Sequence, residues 1–201
     1  MRVLIVLATI LALSSPLAAQ STCDLHCGTE RWAIKTLSDP GASRVDTTPT
    51  AATVKQLRAL RVPASVLRRH GKPQLPPADR IAPVELTTYR VDAVLVGWKL
   101  ESDEDFHLVI ARPSNHAQTM IAEVPSPTCP EICRTGNAAL FAALRQKLIT
   151  RLGQPKVHFV RLPKALPITI TGVGVFDFAH GQTGVAPNAI ELHPVLAIAF
   201  H

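Results

Sequence analysis

The spacing of apolar residues changes twice along this chain. Val54, Leu57, Leu60 and Leu67 recur at helical intervals. "TVKQLRALRVPASVLRRHGK" therefore predicts two short basic helices, broken at Pro63 and ended at Gly71. From residue 87 the period becomes two. In "TTYRVDAVLVGWKLE", Val94, Val96, Trp98 and Leu100 alternate with Tyr89, Val91, Ala93 and Leu95, the pattern of a strand apolar on both faces. "SDED" predicts an acidic turn, "FHLVIAR" a second strand, "SNHAQ" a loop and "TMIAEVP" a third strand. Helical spacing returns in "NAALFAALRQKLITRLG". Asn137 suits an N-cap, Gly153 a stop, and Leu140, Phe141, Leu144, Leu148 and Leu152 form the stripe. "KVHFVRL" predicts a short strand, and "PITITGVGVFDF" and "AIELHPVLAIAF" the last two long ones. Gly172 and Gly174 permit a sharp bend.

Three strands, a helix and two long strands is the order of an OB-fold. The expectation is a β-rich α+β protein built on a five-stranded OB-fold-like Greek-key barrel, its one helix between strands three and four. Short turns between the first three strands exclude a sheet of βαβ crossovers. An antiparallel α+β domain is the alternative. The expected division is residues 1–20 as a signal peptide, 21–86 as a basic arm and 87–201 as the barrel. The arm reads as irregular over 21–50 and helical after it. It ends in the Pro-rich linker "PQLPPADRIAP", too rich in proline for regular structure.

The opening "MRVLIVLATILALSSPLAAQSTC" places Arg2 before an apolar run from Val3 to Leu13, followed by small residues. That is the build of a secretory signal, and the run is too short to span a bilayer. Cleavage near Ala19 or Gln20 predicts an exported protein, periplasmic or extracellular, without a transmembrane anchor. The cysteines fall in two clusters, "CDLHC" (Cys23, Cys27) and "CPEIC" (Cys129, Cys133). In an oxidising compartment four cysteines predict two disulfides. Bridges between the clusters are preferred, tying the arm to the domain, and a four-thiolate zinc site is the alternative.

Charge is segregated more than it is large. The net charge is +6. Residues 31–80 hold ten Lys or Arg against Asp39, Asp46 and Asp79, and residues 134–164 hold seven bases and no acid. Between 85 and 131 the sign reverses, with eight acids against Arg90, Lys99 and Arg112. Arg58 and Arg61 thus become candidate contacts for a polyanion, nucleic acid or an envelope protein. Solvated helix charge explains them equally well. Aromatic residues make up only 4% of the chain, few for a protein that stacks single-stranded bases.

"CGTERWAIKT", "DFHLVIARP", "TMIAEVP" and "GVFDFAHGQTGVAPNAIELHPVL" together resemble a family of exported bacterial proteins. The resemblance covers most of the mature chain. It implies export and a small β-domain and carries no activity, so no residue role is transferred from it.

The candidate chemistry gathers at the last hairpin. Its loop, Ala179 to Asn188, offers His180, Gly181, Gln182, Thr183 and Asn188 to a ligand on the usual OB face. Asp177, His180, Glu191 and His193 form a candidate set for zinc or another divalent ion. The competing expectation makes Glu191 and His193 part of an exposed barrel face. Asp105, His107 and Glu123 form a second cluster, expected at the opposite end of the barrel. No H-E-x-x-H, phosphate-binding P-loop or G-x-S-x-G occurs. The leading expectation is an exported, non-catalytic binding module without a cofactor, holding a protein, glycan or polyanion. The alternative is a metal-dependent hydrolase, such as a nuclease, using the 177–193 hairpin.

Overall fold

The computed structural model describes residues 23, 27–63, 75–133, 135–179 and 181–201. The predicted signal peptide, the second basic helix with Arg68 and Arg69, and His180 lie outside them. Six strands form one mixed sheet: β1 (Asp46–Ala52), β2 (Thr87–Leu100), β3 (Phe106–Arg112), β4 (Asn115–Val124), β5 (Val160–Phe176) and β6 (Ile190–Phe200). Their order is β1-β2-β3-β4-β6-β5, and β2 also pairs with β5. The helices are short apart from one: α1 (Trp32–Lys35), α2 (Val54–Arg58), α3 (Pro130–Cys133) and α4 (Ala138–Leu152). The protein is therefore a β-rich α+β fold.

Alternation sets the strands and turn chemistry sets their register. β2 is apolar on both faces because both are covered, and it runs antiparallel to β3 from Val94 to Leu100 and to β5 from Thr88 to Trp98. β3 and β4 form a hairpin in which His107 lies opposite Glu123. β4 and β6 run parallel, with Ile121 beside Glu191 and Ala122 beside Leu192. That register brings Glu123 level with His193. In β5, pairing with β6 shifts at Gly172 and Gly174. A Cβ at Gly172 would stand 2.9 Å from the Pro194 carbonyl, and one at Gly174 2.6 Å from the Tyr89 ring. Glycine is needed there because the strands approach too closely for a side chain.

One large apolar core lies on the sheet's inner face, built from Val91, Leu95, Trp98, Phe106, Leu108, Ile110, Ile170, Phe176 and Leu192, with Phe141, Leu144 and Leu148 of α4 against it. α4 follows the predicted stripe except at Leu140, which is 37% exposed because it sits one residue off the buried face. A smaller cluster of Val94, Val96, Val109 and Ala111 lies on the opposite face.

The arm differs from its expected irregular form. Residues 46–52, "DTTPTAA", make β1, which pairs in parallel with the start of β2. Its residues are nearly all exposed, so no apolar alternation marks it in the sequence. The sheet thus has one strand more than the five expected. "KVHFVRL" does not stand alone either, because Val160–Leu162 continue into β5 through Pro163 and Pro167. α2 starts at a capping box between Thr53 and Gln56.

Two disulfides, Cys23–Cys133 and Cys27–Cys129, join the arm to the segment after β4, and no described cysteine is free. The pairing runs between the two clusters. It suits an oxidising, non-cytoplasmic compartment. No described helix is long and apolar enough to cross a membrane. Between the bridges and β1, Arg31 enters the protein and clamps Glu85 at 2.6 and 2.7 Å.

Candidate functional site

The inward neighbours Phe106, Leu108, Ala122, Val124, Ile190 and Leu192 belong to the main core. Side chains alternate along a strand, so His107, Glu123, Glu191 and His193 project from the other face. That face is covered at this point by the 181–189 loop and by α1 of the arm. Gly184, with φ of 89°, presses against Val109, and the Thr183 carbonyl meets His107. Lys35 arrives from α1 and bonds Asp177 at 2.8 Å. The result is a buried cluster of ionisable groups: Asp105 and His107 are 0% exposed, His193 0%, Glu191 2% and Glu123 8%.

This arrangement corrects two expectations. Glu191 and His193 are not an exposed face, because the hairpin's own loop and the arm bury them. The Asp105, His107 and Glu123 cluster is not at the opposite end either. The parallel β4–β6 contact carries Glu123 to His193, and the turn before β3 carries Asp105 there as well. Of the four residues proposed from the hairpin, Glu191 and His193 are 3.9 Å apart, while Asp177 turns to Lys35. Lys35 was missed, because an isolated lysine on a short helix carries no sequence mark, and Glu101 stood out only as the start of the acidic turn that ends at Asp105.

The geometry around His193 is unusual. Its Nε2 lies 3.2 Å from Asp105 Oδ2 and its Nδ1 3.1 Å from Glu123 Oε2. Yet neither ring nitrogen has a hydrogen-bonded partner, and Asp105 Oδ2, Glu191 Oε2 and Asp177 Oδ1 are also buried and unbonded. Asp105, Glu123 and His193 each offer a ligand atom within 4.8 Å of the others, all three residues buried.

His107 is better paired. Nδ1 meets Glu123 Oε1 at 2.8 Å and Nε2 meets the Thr183 carbonyl at 2.9 Å. Glu123 thus bonds His107 through Oε1 and lies beside His193 through Oε2.

Burial and mutual charge perturb the whole group. Burial raises Asp105 to about 6, against partial relief from His193, and burial together with Glu123 raises Glu191 to about 7. Burial alone would lower the imidazoles, but the surrounding carboxylates override it and raise His193 strongly and His107 as well. Burial likewise opposes ionisation of Glu123, and the two histidines outweigh it and hold its carboxyl below the usual range. Burial opposes the charge on Lys35 too, but Asp177, Glu191 and Glu123 raise it. Acids and bases here are therefore spread far from their ordinary values, as ionisable groups at functional sites often are.

The loop residues have more structural work than expected. The Asn188 amide donates to the Leu57 and Leu60 carbonyls at 2.9 Å each, fastening the loop to the end of α2. Gln182 donates to the Phe178 carbonyl at 2.9 Å. Gly181 has φ of 81° and serves the turn. Arg58 donates to the Thr119 carbonyl of β4, while Arg61 is exposed. An open cleft of about 410 Å³ lies beside the cluster, lined by Glu30, Trp32, Lys35, Ser102 and Asp103 among others. No family model, curated protein or solved structure matches the chain.

Proposed function

We propose that the protein is an exported module that binds a divalent metal ion through Asp105, Glu123 and His193. The observation that carries this reading is the buried set itself: Asp105, Glu123 and one nitrogen of His193 offer ligand atoms within 4.8 Å of one another, and Asp105 Oδ2 is buried without a hydrogen-bond partner. Metal–ligand distances of about 2.0–2.2 Å put neighbouring donor atoms roughly 3–3.5 Å apart. Without a cation, several buried polar atoms would have given up water for nothing, at about 1–3 kcal/mol for each orphaned group. One imidazole with two carboxylates suits zinc or manganese.

The OB-like architecture belongs to this proposal. It is supported by the β2–β5 pairing, which joins the two ends of a five-strand run, by parallel β4 and β6, and by α4 between the third and fourth strands of that run. Export is supported by the disulfides and the opening residues.

Metal-dependent hydrolysis is the second reading, favoured by the cleft. Lys35 lines it and touches Asp177, and Asp103 lines it and accepts from the Asp105 amide at 3.3 Å. A polyanion contact at Arg58 is less favoured because its guanidinium is engaged by β4. Calorimetric titration of chelator-treated protein with Zn²⁺ and Mn²⁺ tests the first reading. Saturable binding, lost in Asp105→Asn and His193→Ala, is expected. Equal heats in the variants and the wild type would refute the assignment. A phosphodiesterase assay on the loaded protein tests the second.

A further inference from the structure

Glu123 faces two ways. Its Oε2 belongs to the Asp105 and His193 group, while its Oε1 is 2.8 Å from His107 Nδ1. Glu101 Oε1 lies 3.2 Å from the same Nδ1, so Glu101, His107 and Glu123 form a second set of donors within 4.8 Å of one another. The His107 ring is fixed from behind. Its Nε2 is 2.9 Å from the Thr183 carbonyl, which only accepts, so Nε2 carries the hydrogen. In the neutral ring Nδ1 then presents a lone pair towards two carboxylates. Such an arrangement is relieved either by a proton on Nδ1 or by a cation among the three, and the three donors lie close enough together to share one. A histidine whose far nitrogen donates to a backbone carbonyl is also the usual form of a metal ligand held in orientation.

We propose that Glu123 bridges two divalent ions, an inner one held with Asp105 and His193 and an outer one held with Glu101 and His107. This rests on the inner site proposed above. The two positions are unlike. The inner donors are sealed, whereas the Glu101 side chain is 24% exposed. The outer ion therefore keeps positions open to water. Lys99 Nζ bonds the same Glu101 oxygen at 2.8 Å, with both side chains at least a fifth exposed. Loading the outer ion opens that surface pair, which costs little because exposed pairs are weak. The inner ion consequently binds first and the outer one second, more weakly and within reach of an external ligand. Two ions held a few ångströms apart by one carboxylate are suited to an oxyanion such as a phosphate ester.

Mn²⁺ is the probe, because binding is countable and its paramagnetic resonance reports whether two ions share a ligand. Chelator-treated protein should take up two equivalents in two steps and give an exchange-coupled spectrum. Glu101→Gln should take up one equivalent and show the lines of an isolated ion, with an unchanged melting temperature in the metal-free state. Glu123→Gln should lose both steps. Uptake of one equivalent by the wild type, matched by Glu101→Gln, would overturn the outer site and leave the inner one standing. No uptake by any form would overturn the inner site, and the bridge with it.

Discussion

Replacing Arg31 by Met should destabilise the protein by about 3–5 kcal/mol, the range for leaving a buried charge without its partner. The guanidinium is spread over five acceptors. It meets both Glu85 oxygens at 2.6 and 2.7 Å, and the carbonyls of Phe176, Asp79 and Pro76 at 2.7, 3.0 and 2.9 Å. Neither side chain is more than 1% exposed. Without Arg31 the Glu85 carboxylate keeps only the amides of Ile81 and Phe176, at 2.6 and 2.9 Å. Methionine is the right replacement. Arg31 sits at φ of 54°, so glycine would relieve backbone strain and mask part of the loss. Urea unfolding of wild type, Arg31→Met, Glu85→Gln and the double variant forms a cycle. The double variant should lose less than the sum of the singles, with a coupling of roughly 1–3 kcal/mol. A single Arg31→Met loss below about 1 kcal/mol, or strict additivity, would refute the idea that this pair fastens the arm to the sheet.

Thiol titration of the denatured, unreduced protein should find no reactive cysteine, and reduction should lower stability by about 2–5 kcal/mol in urea melts, as loss of a native bridge does. Gly174→Val should cost at least about 1–3 kcal/mol by thermal unfolding, since the first added carbon alone would meet the Tyr89 ring at 2.6 Å. The metal-free protein should lose stability as pH rises from about 5 to 8. In that window folded Asp105 and Glu191 (about 6 and 7, against ordinary values of 3.8 and 4.5) keep protons that the unfolded chain has released. His193 acts with the same sign, its contribution complete below 6.5 and lost as pH climbs through its raised value. Glu123 acts oppositely, and only below 4.5. Melting temperatures that rise steadily from pH 5 to 8 would contradict the charge assignment.

Much of the sheet was legible because its strands carry the marks that reading depends on. β2 alternates over 14 residues, "FHLVIAR" matches β3 residue for residue, and α4 lies between Asn137 and Gly153 as its stripe and stop require. β1 was illegible because an exposed edge strand buries nothing and shows no period. The site was half legible. Glu191 and His193 two apart on one strand, and Asp105, His107 and Glu123 as a group, were visible as chemistry. Their meeting was not, because it depends on the parallel register of β4 against β6, a contact between strands 66 or more residues apart that leaves no local trace. Lys35 was hidden for the same reason: a four-residue helix in the arm has no pattern, yet the two disulfides that anchor the arm just before it and the Arg31 clamp deliver its ammonium to Asp177.

The central claim is that the Asp105, Glu123 and His193 cluster holds a metal ion. Elemental analysis by plasma mass spectrometry, on protein exchanged extensively against metal-free buffer after exposure to zinc and manganese, tests it most directly. At least one equivalent retained by the wild type and none by Asp105→Asn is the predicted result. A wild type that retains no metal, or an Asp105→Asn variant that retains as much as the wild type, would contradict it.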